Sequence, residues 1–269
     1  MFRALARRWH SRREAAALKR RAIPDLLWRR TLKRFPFLPR TEAAGEPELR
    51  RMTSLFLDRK EFSGAHGLVV TDDICVAIAA QACLPVLRLG LQAYDGFLGI
   101  VVHPGQATAR RATTDDDGIV HEYDEVLAGE AMKGGPVMLS WRDVRASGAS
   151  AAIAYNVVVH EFAHVLDMTD GQANGVPMLP ASIARQAWEQ QLQRDYESFC
   201  QRVDRGESTA LDPYGAESPD EFFAVASEAF FVAPNAMRSE HQALYALFAR
   251  YYLQDPAESK TPDEKSSGV

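Results

Sequence analysis

Two histidines and a glutamate near the middle of this chain have the types and spacing of a zinc site. His160, Glu161 and His164 form the pattern His-Glu-x-x-His inside the stretch IAYNVVVHEFAHVLD. On a helix, residues four apart lie on one face with Cβ atoms about 5–6 Å apart. Both imidazoles can therefore reach one zinc ion, at Zn–N distances of about 2.0–2.1 Å. Glu161 follows the first histidine directly and can take a proton from metal-bound water, so the pattern predicts a zinc-dependent hydrolytic site.

The alternative is an ordinary helix whose histidines need no metal. The other faces of the segment are apolar, through Val158, Val159, Phe162, Val165 and Leu166. A helix that is apolar all round is buried, and buried polar side chains need partners. A shared metal ion would satisfy both histidines and the glutamate, and we therefore favour the zinc site.

The third zinc ligand is not fixed by spacing. Catalytic zinc takes three protein ligands and leaves one position open for water. The downstream candidates are Glu217, Glu221, Glu228 and His241. The run Ser-Pro-Asp-Glu at 218–221 also has the pattern of a capping box. In a capping box the Ser218 side chain would cap the start of a helix, and the Glu221 side chain would accept a hydrogen bond from the backbone N–H of Ser218. On that argument Glu228 would be the ligand, and because both glutamates can face the motif helix the choice stays open.

Composition indicates an ordinary globular protein. The chain has 269 residues, of which 46% are hydrophobic and 25% charged, as in soluble domains generally. Three scattered cysteines without C-x-x-C spacing predict reduced thiols and a cytoplasmic location. No apolar run approaches the roughly 20 residues that span a bilayer. The basic N-terminus lacks the apolar stretch of a secretory signal.

Charge is unevenly distributed along the chain. Residues 1–34 hold 12 Lys and Arg against Glu14 and Asp25, a balance of +10, and the totals of 31 basic and 36 acidic residues leave −15 for the remainder. A basic arm on an acidic body could contact nucleic acid, an anionic membrane surface or the body itself. A solvated basic helix is the alternative, since no base-reading motif accompanies the arm.

Local patterns predict the elements around the motif. Helices are expected at 1–21, 48–58, 71–84, 150–171, 182–203, 218–234 and 239–253, and strands at 68–70, 97–103, 118–123 and 136–141. Thr71 and Ser218 are N-cap candidates, and Gly171 is a candidate left-handed residue at a helix end. Segment 136–141 is our candidate for an exposed edge strand that pairs with an extended peptide substrate. An interior strand is the alternative.

Five motifs stand out along the chain: HEFAHVLD at 160–167, NGVPMLP at 174–180, Tyr214 with DEFFAVASEAFFVAP at 220–234, CLPVLRLGLQAYDGF at 83–97 and GPVMLSW at 135–141. Together they resemble the Mlc titration factor A family of bacterial zinc metallopeptidases. The resemblance runs from about residue 47 to 255 and does not reach the basic arm. It implies an α+β, zincin-like fold with a small mixed sheet, an HExxH active-site helix and a core similar to that of anthrax lethal factor. We therefore predict a metallopeptidase domain at 47–254, between a basic arm with linker at 1–46 and a disordered tail at 255–269.

The resemblance also implies a set of site residues. One zinc ion per chain would be held by His160, His164 and Glu221, with Glu161 as general base and Tyr214 as a hydrogen-bond donor in the transition state. Glu228 then becomes a group that could orient a ligand histidine. Asp167, one turn past His164, could do the same or be an ordinary helix-end carboxylate.

Two classes of function follow from this resemblance. The first is a peptidase, with aminopeptidase-type activity on small peptides implied by the family. The second is a non-catalytic protein that titrates a transcriptional repressor of the Mlc type, for which the family is named.

Overall fold

Helices surround a small mixed sheet in this protein. The structure, a computed structural model, describes residues 2–38, 45–105, 107–114, 120–127, 129–131, 134–147 and 154–258. The helices are α1 (Phe2–Arg20), α2 (Asp25–Arg34), α3 (Gly45–Arg59), α4 (Asp72–Cys83), α5 (Trp141–Ala146), α6 (Val157–Asp167), α7 (Arg185–Asp204), α8 (Pro219–Val232), α9 (Pro234–Glu240) and α10 (Gln242–Tyr252). The strands are β1 (Glu61–Gly64), β2 (Gly99–His103), β3 (Ala107–Thr114), β4 (Val120–Leu127), β5 (Gly129–Ala131) and β6 (Val137–Ser140). The predicted α+β class is confirmed, and α6 carries the His-Glu-x-x-His motif.

The main sheet has the strand order β1-β2-β6-β5, and β3 with β4 forms a separate antiparallel pair. Strands β1, β2 and β6 run parallel, whereas β5 is antiparallel to β6. Segment 136–141 therefore forms a strand paired on both sides, and its prediction as the exposed edge is wrong. Among the described residues, β5 is the strand at that end of the sheet.

The motif helix lies in the centre of the core. Phe162, on its buried side, is fully enclosed and its ring lies 4.9–5.8 Å from the rings of Phe56, Tyr94 and Phe97. These aromatic residues come from α3 and from the segment before β2. Packing of this kind fixes the rotation of α6, because its apolar sides have one well-filled place in the core.

Helices with local start signals begin where the sequence predicts. Thr71 accepts a hydrogen bond from the Ile74 amide of α4 at 3.4 Å, and Ser218 accepts one from the Glu221 amide of α8 at 3.4 Å. Both are N-caps of the expected kind. Gly171 has φ 99°, the left-handed conformation expected beyond the motif helix.

Three element predictions are wrong. The motif helix begins at Val157 rather than at 150, because the Asn156 side chain accepts the Val159 amide at 2.9 Å. Segment 68–70 is not a strand, since the Leu68 amide bonds Ala65 in a turn and the strand lies earlier, at β1. The last predicted helix, 239–253, begins too early, because α10 starts at Gln242 and residues 239–240 belong to α9. Residues 150–153, within the predicted motif helix, lie outside the described residues.

The basic N-terminal segment packs on the rest of the chain. Trp28 of α2 is 2% exposed, and its Nε1 donates to Glu46 of α3 at 3.1 Å. Three ion pairs connect the segment to α3: Arg20–Asp58, Glu14–Arg51 and Asp25–Arg50. The structure shows one of the three contacts considered for the arm, contact with the body. None of the described helices is both long and apolar enough to cross a membrane.

The predicted linker and tail fall partly outside the described chain, at 39–44 and 259–269. Phe35 and Leu38, at the start of the predicted linker, are fully buried. The domain limits 1–46, 47–254 and 255–269 remain a prediction.

Candidate metal centre

Helix α6 presents His160 and His164 on one face. Its first turn is fixed by the Asn156 cap, and Asn156 is itself held by a 2.9 Å hydrogen bond from its Nδ2 to Gln81 of α4. The two imidazole Nε2 atoms lie 3.1 Å apart. The four-residue spacing therefore brings both rings together as predicted.

Glu228 of α8 lies behind His160 and sets the orientation of its ring. Glu228 Oε1 is 2.8 Å from His160 Nδ1, and Oε2 accepts the Asn156 amide. Because a buried carboxylate accepts hydrogen bonds, we assign the ring proton of His160 to Nδ1. Nε2 then presents a lone pair toward His164, as a metal ligand must.

Glu221, in the first turn of α8, completes the group. Its Oε2 lies 3.0 Å from His160 Nε2 and 3.4 Å from His164 Nε2. Ser218 caps the helix as the capping-box pattern predicts, but the Glu221 side chain extends to the histidines. The geometry thus places Glu221 with the two imidazoles, and Glu228 on the far side of His160.

The three side chains fit a metal ion. One ligand atom from each of His160, His164 and Glu221 lies within 4.8 Å of the others, and among the described residues this is the group that could hold a metal. Glu221 Oε2 is buried, and its contacts with the histidines lack hydrogen-bond geometry. A buried carboxylate oxygen without a donor is costly, and a cation at the convergence of the three atoms would remove that cost. Two imidazoles and a carboxylate are a ligand set that zinc favours.

Glu161 lies next to this group, between α6 and β5. It is 5% exposed, and burial raises the pKa of its carboxyl to about 7, against the opposing effect of the two histidines. A Cβ atom added at Gly129 of β5 would lie 2.4 Å from Glu161 Oε1. The strand backbone therefore passes directly beside the carboxyl group. A pKa near neutrality suits a group that takes up and releases a proton.

Tyr214 lies on the open side of the site. A short 3₁₀ turn, Pro213–Ala216, carries it, and Asp212 fixes the turn by accepting the Tyr214 amide at 2.9 Å. The Tyr214 ring is centred 6.1 Å from the His160 ring, and the residue is 40% exposed. All five predicted site residues are thus near one another in the fold.

Comparison with known proteins agrees with this arrangement. The family model described as glucose-regulated metallo-peptidase M90 matches residues 6–253. The chain belongs to this family. Mlc titration factor A of Klebsiella pneumoniae is 36% identical over 235 residues, which cover 86% of this chain and 87% of that protein. The protein of the same name from Edwardsiella ictaluri is 39% identical over 226 residues, covering 81% and 85%.

A protein of Synechocystis sp. is 35% identical over 250 residues, 92% of this chain and 90% of its own length. The predicted resemblance is therefore confirmed, and the family match extends further than the motifs did. It begins at residue 6, inside the basic segment. Membership in a metallo-peptidase family implies a metal ion, which the cluster of His160, His164 and Glu221 fits.

His241, a candidate ligand, and Asp167, a candidate for orienting a ligand histidine, both contact other residues. His241 lies between α9 and α10, and its Nδ1 is 2.8 Å from Oδ1 of Asp195 in α7. It is not one of the three residues that could hold the metal. Asp167 Oδ2 accepts the amides of Asn174 and Gly175, each at 2.8 Å. Asp167 therefore holds the loop that follows the motif helix. Among the described contacts it makes no hydrogen bond to a histidine.

Sequence reasoning missed two residues that shape the site. Asn156 connects the start of α6 to Gln81 and, through its amide, to Glu228; the signal was an N-cap residue type four positions before His160. Gly129 lets β5 approach Glu161. Nothing local marks Gly129, because its importance depends on a partner 32 residues away.

Proposed function

We propose that this protein is a zinc-dependent peptidase with Glu161 as its general base. The observation that carries the proposal is the convergence of His160, His164 and Glu221 beside the buried carboxyl group of Glu161. When bound, zinc would supply Lewis acidity and lower the pKa of water toward about 7. The family's description as metallo-peptidase supports the reaction class.

Three residues of the chain would carry out the remaining steps. Glu161 takes the proton of the attacking water and delivers it to the leaving amine. Tyr214, on the open side, donates a hydrogen bond to the oxyanion that forms on the peptide carbonyl. Glu228 holds His160 in the orientation that ligation needs. Aminopeptidase-type cleavage of small peptides stays a prediction from the resemblance, and the cytoplasmic location stays a prediction from the scattered cysteines.

The test is Glu161→Gln. The change keeps the shape of the side chain and removes its basicity, so kcat should fall at least about 10²-fold while zinc content stays unchanged. Release of amines from short peptides, with free and with blocked N-termini, measures turnover and also separates exo from endo cleavage. Glu217→Gln, an exposed carboxylate four residues before Glu221, is the matched control and should retain activity. Near-full activity of Glu161→Gln would refute the mechanism.

A second function, binding of a transcriptional repressor, is supported by the relatives named Mlc titration factor A. We propose that the chain binds a regulator of the Mlc type. The test is co-purification of an Mlc-type repressor with the wild type and with His164→Ala. Co-purification with the wild type supports this function and its absence contradicts it, and binding that survives the loss of zinc would show an interaction surface independent of the metal centre.

A further inference from the structure

A cavity of about 700 Å³ lies beside the last turn of the motif helix. Val165, Leu166 and Met168 line it from α6 and the turn that follows, and Phe97, Val137 and Leu179 line it from other elements. No charged side chain is among its described lining residues. A partly open pocket of this size and character is typical of sites for apolar groups.

Helix α6 carries both the proposed general base and residues that line this cavity. Val165 lies four residues after Glu161 on α6, so the two side chains share a face with Cβ atoms about 5–6 Å apart. Met168 stands in the same relation to His164. The cavity therefore begins one helical turn beyond the residues that would act on the peptide bond.

Strands β5 and β6 also connect the surroundings of Glu161 with the cavity. Gly129 of β5 lies against Glu161, and Ala131, two residues on, pairs with Val137, which lines the cavity. Two residues along a strand span about 7 Å. A peptide extended along β5 would pass the catalytic carboxyl group and bring a neighbouring side chain to the cavity mouth.

We propose that this cavity binds a large apolar side chain of the peptide substrate, aromatic or branched aliphatic, close to the bond that is cleaved. The proposal rests on the peptidase function and names its substrate class. Met178, 67% exposed at the cavity wall, supports it, because a flexible thioether side chain adapts to varied apolar partners. A pocket of this kind discriminates by roughly 10–200-fold between apolar side chains of different size.

Filling the cavity tests the assignment. Gly96 lines it, has no atom within 4 Å of an added Cβ and has no positive φ. Gly96→Phe can therefore introduce a ring at the cavity wall without backbone strain. Gly105 has the same open surroundings and ordinary φ but is not a lining residue, so Gly105→Phe is the matched control. Thermal unfolding of both variants checks that they fold.

Binding is measured without turnover, in the zinc-loaded Glu161→Gln background. The probes are pairs of six-residue peptides that differ by Ala or Phe at one position, and the position is scanned along the whole peptide. We expect one position at which the Phe peptide binds at least about 10-fold more tightly. Gly96→Phe should reduce that ratio to about twofold, with little change for the Ala peptide, and Gly105→Phe should preserve it.

The outcomes separate this proposal from the peptidase proposal. A Phe preference that Gly96→Phe leaves intact, or no preference at any position, would overturn the cavity assignment. The same holds if neither peptide binds. If the unaltered protein cleaves no peptide but shows the preference that Gly96→Phe removes, the peptidase mechanism fails and the apolar binding site stands.

Discussion

At the scale of single residues, Glu221 and Glu228 show how position decides the role of a carboxylate. They lie two turns apart on α8, and each is in contact with His160. Glu221 meets Nε2 of His160 at 3.0 Å, whereas Glu228 meets Nδ1 at 2.8 Å. One imidazole nitrogen can bind a metal while the other donates its proton to a carboxylate. The contacts therefore favour Glu221 as the ligand and Glu228 as the group that orients His160.

Alanine at each position should separate the two roles. We expect Glu221→Ala to lose bound zinc, because only two protein ligands remain. Glu228→Ala should retain a site whose zinc affinity is lower by about 10–100-fold. Zinc content after purification and competition with a chelator measure both effects. Loss of zinc in Glu228→Ala alone would reverse the assignment and make Glu221 a helix-cap residue.

At the scale of elements, Asp167 joins the end of α6 to the loop at 174–175. Burial raises the pKa of Asp167 to about 6, against the lowering effect of the Gly175 and Asn174 amides. In the unfolded chain the pKa is about 3.9. Because the folded state holds the proton more tightly, the free energy of unfolding should fall as the pH rises from about 4 to about 6. At about 1.4 kcal/mol per pKa unit, this one group accounts for at most about 3 kcal/mol.

Asp167→Asn removes that titration and can keep both loop hydrogen bonds, since the amide oxygen can take the place of Oδ2. We expect its free energy of unfolding to vary less between pH 4 and 6 than that of the wild type. Urea unfolding across this range measures the difference. Asp170→Asn, an exposed carboxylate three residues later, is the control and should keep the wild-type slope. Equal slopes for all three proteins would contradict the assignment to Asp167.

Elements with local signals were predictable, and elements that depend on distant partners were not. Thr71 and Ser218 mark their helices because a cap bonds an amide only three residues ahead. Strand β1 (Glu61–Gly64) has no alternating apolar pattern and forms because β2 pairs with it. Strand β5 is three residues long and forms because it pairs with β6. In the candidate site, His160 and His164 follow from spacing, whereas spacing left Glu221 and Glu228 open. The family resemblance implies Glu221, and the contacts of the two carboxylates with His160 favour it.

At the scale of the whole molecule, the N-terminal segment is joined to the body through charge and apolar burial together. Both of its acidic residues, Glu14 and Asp25, pair with arginines of α3, Arg51 and Arg50. Its other charged side chains described in the structure are basic, and they are exposed. The segment's excess positive charge therefore lies on its outer surface.

Trp28 tests whether the segment folds together with the rest of the chain. The side chain is 2% exposed, so Trp28→Ala should leave a large cavity between α2 and the body and reduce the free energy of unfolding by about 3–5 kcal/mol. Leu26→Ala, on the same helix but 57% exposed, should change it by no more than about 0.5 kcal/mol. Urea unfolding monitored by far-UV circular dichroism measures both.

A Trp28→Ala protein as stable as Leu26→Ala would mean that the segment does not contribute to the core. A destabilised protein with one sharp transition would mean that arm and body unfold as a unit, as expected if burial of Trp28 joins them.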